Sequence, residues 1–134
     1  MPDEAFQTMR EGHLQAIQVM NEFIEIQKNY ESVLRSCVQT ENILAARQYA
    51  LNTKKVTVWA RIRASLPATE KRLTNDEREQ RILEDPEVDA LINEVNQLQR
   101  QHRTEAAEVD IVEMHYKTAY NRTQLLTAFP QLPS

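Results

Sequence analysis

Three histidines, one cysteine and a run of closely spaced cations are the side chains of this sequence that could do chemistry. His13 follows Glu11 by two residues, and His115 follows Glu113 by two. That offset puts acid and imidazole on different faces of a helix, whereas helical di-iron sites use an offset of three. No HExxH segment is present, so a helix-borne zinc site is not expected. Cys37 lies on an apolar stripe with no histidine near it in sequence, which suits a buried thiol rather than a nucleophile. Asp85, Glu87 and Asp89 form an acidic group whose simplest role is to cap the helix that follows. Asn121-Arg122-Thr123 matches a glycosylation sequon only in form. A single Gly excludes the Gly-rich phosphate loops, and a single Cys excludes an intrachain disulfide or a cysteine-rich zinc site. The expectation is a non-enzymatic chain with no catalytic constellation, metal or cofactor.

Charge is the most uneven property. The chain carries a net charge of −4. Residues 47–72 hold seven basic side chains (Arg47, Lys54, Lys55, Arg61, Arg63, Lys71 and Arg72) against one acidic, Glu70, for a net +6. The flanking segments are acidic, at −4 for residues 1–46 and −6 for residues 73–134. Cations interleaved with Trp59, and with Tyr49 nearby, suit single-stranded nucleic acid: phosphates follow the charges and bases stack on rings. Two alternatives stand beside this. The basic segment can pair with the acidic ones, within the chain or across an oligomer, and the helical spacing of Trp59 to Ile62 and Leu66 suits burial as well as stacking.

The elements that position these residues are helices. Repeated tight turns need Gly, so one Gly in 134 residues nearly excludes a sheet fold. Neither Gly nor Pro occurs from His13 to Leu66 or from Glu87 to Phe129, stretches far longer than a typical globular helix of about 11–12 residues. The first carries an apolar face of Ala16, Val19, Met20, Phe23, Ile26, Tyr30, Val33, Leu34 and Cys37. Ser36 and Gln39 resemble a capping box, so a kink or short break is expected near 36–40, with a second helix beyond it. Asn52, Thr53 and the β-branched trio Val56, Thr57 and Val58 weaken that second helix locally. Residues 67–73 read as a polar loop. Thr74 with Glu77 opens a short helix over 74–84, and Asp85-Pro86 opens a long one over 86–129. With Val88 at heptad position a, Val88, Leu91, Val95, Leu98, Val109, Val112, Tyr116 and Ala119 form an apolar seam, interrupted at His102, Glu105 and Thr123. The expected fold is all-α: a single domain, 1–134, with long or kinked N-terminal helices over 1–66. It is an elongated, coiled-coil-like helical hairpin with a long C-terminal helix, homo-oligomeric through that seam. No run of apolar residues is long enough for a membrane span or a signal peptide, which places the chain in the cytoplasm.

Lys54-Lys55-Val56, Trp59-Ala60-Arg61-Ile62-Arg63 and Glu84-Asp85-Pro86-Glu87-Val88, in that order and with a loop between, resemble the small helical proteins that tailed phages encode beside their recombination genes. More remotely they resemble recombination mediators of the UvsY type. The resemblance implies a ring-forming accessory that helps a recombinase load onto strands coated with single-strand-binding protein, in a host cytoplasm. It matches Arg61 to the Arg of the family's Lys-Ala-Arg motif, and Lys54 and Lys55 to its preceding basic pair. Trp59 stands where that motif has Lys.

The function expected from the sequence is therefore non-enzymatic binding of single-stranded nucleic acid, DNA ahead of RNA, by Arg47, Lys54, Lys55, Trp59, Arg61, Arg63, Lys71 and Arg72. Two rivals stand beside this reading. One is a coiled-coil protein adaptor or anti-defence inhibitor with no nucleic-acid affinity. The other is a small helical subunit of an RNA-guided defence complex.

Overall fold

The structure, a computed structural model, describes residues 2–68 and 72–128. Among the described residues it contains three α-helices and no strand: α1 (Pro2–Ser65), α2 (Asn75–Leu83) and α3 (Pro86–Ala128). The expected loop is seen at Pro67, Ala68, Arg72 and Leu73, while 69–71 and Phe129 lie outside the described residues.

Helix α1 corrects the expected break: it runs unbroken through 36–40. The cause is a heptad pattern that the apparent capping box obscured. Tyr30, Val33, Cys37, Thr40 and Leu44 keep alternating spacings of three and four, and all five are buried or half-buried. Leaving the helix at Ser36 would take Cys37 and Thr40 out of that stripe. The β-branched cluster further on is accommodated too. Thr57 Oγ1 donates to the Thr53 carbonyl at 3.0 Å, and Val58 is only 1% exposed, so tertiary packing outweighs weak local propensity.

The caps of the other two helices match their sequence signals. The Glu77 N–H donates to Thr74 Oγ1 at 3.2 Å, which opens α2. Asp85 Oδ1 accepts from the backbone N–H of Glu87 at 2.9 Å and of Val88 at 3.1 Å, with Pro86 in the first turn of α3.

The chain divides into two compact units. The first comprises Met1–Cys37 and Glu105–Ser134. Here α1 and α3 meet through rings: Tyr116 stacks on Tyr30 at 5.2 Å between centroids and tilts against Phe23 at 5.6 Å, while Tyr120 lies 6.3 Å from Phe23. Val19, Cys37 and Val112 are buried in this unit.

The second unit is Val38–Thr104. Its core is Val58 of α1, Ile82 of α2 and Val88 of α3, with Leu51, Trp59, Ile62 and Ile92 packed against them. The short helix α2 is thereby held by one apolar residue, Ile82, at 4% exposure. In this unit α1 and α3 are antiparallel and in heptad register. Lys54 meets Glu87, Arg47 meets Glu94 and Thr40 meets Gln101, so each rung lies seven residues down α1 and seven up α3.

The eight seam residues expected to join separate copies are all at least half-buried within the chain. Val88, Val95 and Val112 are buried, and Leu91, Leu98, Val109, Tyr116 and Ala119 are half-buried. Val88 packs with Val58 and Ile82, and Tyr116 with Phe23 and Tyr30. The heptad was a correct reading of which face of α3 is covered. Within the chain, that face meets the matching stripe of α1.

Candidate nucleic-acid interface

Five cations of the basic segment, Arg47, Lys54, Lys55, Arg61 and Arg63, sit on the last third of α1, in the second unit, and Arg72 lies in the loop beyond it. Four of these cations meet carboxylates. Arg47 Nε lies 2.9 Å from Glu94, Lys54 Nζ contacts Glu87, Lys55 Nζ lies 3.2 Å from Glu79, and Arg61 Nη2 lies 2.6 Å from Asp85. The sequence explains the match. Residues 73–94 carry eight acidic and two basic side chains, a net −6 against the +6 of residues 47–72. The positive window and its counter-charge fold onto one another.

The four partners come from three pieces of backbone. Glu79 comes from α2, Asp85 from the two-residue link between α2 and α3, and Glu87 and Glu94 from α3. Asp85 is the most buried of them. Its side chain is 9% exposed, one oxygen caps α3 and the other takes the Arg61 guanidinium. The hydrogen bond from Arg61 and those from the Val88 and Glu87 amides hold its carboxyl below the usual aspartate range.

Trp59 is no free stacking platform. It packs against the core of the second unit, and the Arg78 guanidinium of α2 lies 4.6 Å from the centre of its ring. Arg63, in the last turn of α1, and Arg72 are exposed and make no ion pair among the described residues. Lys71 lies outside the described residues. Four of the seven cations thus follow the pairing alternative, and two of their partners, Asp85 and Glu87, belong to the acidic group read as a helix cap. One signal could have shown this beforehand, the seven-residue spacing of Thr40, Arg47 and Lys54 opposite Glu87, Glu94 and Gln101.

No group of three or more His, Cys, Asp or Glu side chains able to hold a metal ion occurs among the described residues. No helix there is long and apolar enough to cross a membrane.

The surface that sequence reasoning missed is apolar. Among the described residues, sixteen large apolar side chains are exposed, and eleven belong to the first unit. Phe6, Met9, Ile17, Met20 and Ile24 share one side of α1, away from the stripe that meets α3. Of these, only Met20 belongs to the apolar face expected from the sequence; Met20 and Leu34, both expected on the covered face, are instead exposed.

No known family, curated protein or solved structure matches this chain.

Proposed function

We propose that this chain is a non-enzymatic helical adaptor that works by binding protein through the first unit. One contrast carries the reading. The cations that would grip a polyanion are mostly paired with carboxylates, while the first unit leaves a concentration of Phe, Met, Ile and Leu side chains open to water. Exposed apolar surface of this kind marks interaction sites.

A second reading, single-stranded nucleic-acid binding in a recombination-accessory role, is favoured by a different observation. Arg63 and Arg72 are exposed, and the paired Arg61 keeps 66% of its side chain in water. Exposed ion pairs are worth at most about 1 kcal/mol, so a phosphate could replace a carboxylate.

Titrating labelled single-stranded oligonucleotides with the purified chain at several salt concentrations separates the two. The adaptor reading expects no binding at about 0.15 M salt. Saturable binding whose log affinity falls steeply with log salt, and which Arg63→Ala with Arg72→Ala weakens, would replace it with the second reading.

A further inference from the structure

Within the first unit, α1 and α3 leave a groove of about 280 Å³ between them, lined by Val19, Phe23 and Ile26 on one helix and Met114 and Ala119 on the other. Glu22 and Arg122, 3.8 Å apart, also line it. A shallower concavity along α1 shares Glu22 and Ile26 with the groove and extends the apolar surface to Leu14 and Ile17. On α3, Ile111 and Leu125 stand exposed one helical turn before and three turns after Met114. A trough between two antiparallel helices is the shape that a third helix fills in a bundle, with apolar anchors at i, i+3, i+4 and i+7. Met114, 64% exposed, supplies an unbranched, polarizable side chain that adapts to the residue opposite.

Charge selects the occupant. The first unit carries ten acidic and five basic side chains, a net −5, whereas the second carries eleven basic and ten acidic. A second copy docking through the same face would bring −5 against −5. Nucleic acid would be repelled by the same field. We propose that this groove receives an amphipathic helix of a partner protein whose polar face is cationic. The proposal rests on the adaptor reading above and names the chemistry of its partner.

The test is a calorimetric titration of the full chain with a synthetic amphipathic Leu/Lys helix of about 18 residues, or five turns. Two comparators accompany it: the same helix with Glu for Lys, and the Leu/Lys composition scrambled to destroy the helical period. The Leu/Lys helix should bind at least about tenfold tighter than either. Met114→Asp should weaken that binding by about tenfold or more, although it makes the unit more acidic. Charge attraction alone predicts the opposite, and the exposure of Met114 lets the variant fold.

Equal affinity for the scrambled peptide, or undiminished affinity in Met114→Asp, overturns the proposal. So does a native dimer that Met114→Asp converts to monomer, which assigns the groove to a second copy. None of these outcomes touches the oligonucleotide titration, on which the adaptor reading itself stands or falls.

Discussion

Arg61 and Asp85, twenty-four residues apart, join two helices through one carboxylate just beyond the end of α2: Oδ2 takes the guanidinium of α1 at 2.6 Å, while Oδ1 caps the first turn of α3. Because these bonds favour the ionised acid, Asp85 titrates lower in the folded chain than in the unfolded one, where it has the ordinary aspartate value. Its contribution to stability is present above that value and is lost as pH falls through the depressed folded value. Urea midpoints measured from pH 6 down to pH 2 should fall in the acid range, and Asp85→Asn should flatten that part of the profile. An unchanged acid limb in the variant would remove this role.

The rungs Lys54–Glu87 and Arg47–Glu94 should behave as pairs. Lys54→Glu alone should destabilise the chain by about 1 kcal/mol or somewhat more, since it sets like charges opposite each other, and Glu87→Lys added to it should recover most of the loss. A double-mutant cycle read by urea denaturation measures the coupling. A coupling indistinguishable from zero would mean that the register is set by the apolar rows alone.

Continuity of α1 has its own probe. Gln39 is exposed and lies where the sequence hinted at a break. Gln39→Pro should cost about 3 kcal/mol or more by removing an interior hydrogen bond, seen as a lower urea midpoint and reduced far-ultraviolet ellipticity. If the variant were as stable as the parent, the helix would end near Ser36 after all.

Val58 is the most deeply placed α1 residue of the second unit's core, against Ile82 and Val88. Val58→Ala should destabilise by about 1–3 kcal/mol, from lost burial and the cavity left behind. Val56→Ala, two residues away and exposed, should change the midpoint little. Equal effects at the two positions would contradict the packing.

The helices were legible in the sequence because their signals are local. Thr74 with Glu77 and Asp85 with Pro86 marked the starts of α2 and α3 to the residue. The apolar rows gave the covered faces. What the sequence concealed is pairing between distant segments. Nothing near Lys54 says that Glu87 will stand opposite; only the fold back through α2 and its flanking turns does that. A window of cations therefore read as a binding surface when half of its meaning lay thirty residues away. The same limit applies to the α3 seam, since a heptad reveals that a helix has a partner and not whose helix it is. The capping box at Ser36 failed for a different reason: it is a permitted cap, and burial of Cys37 and Thr40 outweighed it.

The aromatic residues are distributed so that the two units carry separate optical labels. Trp59, the sole tryptophan, lies in the second unit beneath Arg78, while three of the four tyrosines, Tyr30, Tyr116 and Tyr120, cluster in the first; the fourth, Tyr49, is in the second unit but already exposed to water, so its absorbance changes little on unfolding. Indole emission therefore follows melting around Val58 and Val88, and tyrosine absorbance follows melting around Phe23. If the two signals part company along a denaturation curve, the halves of this chain come undone one after the other, and a partner seated on one half would hold that half alone.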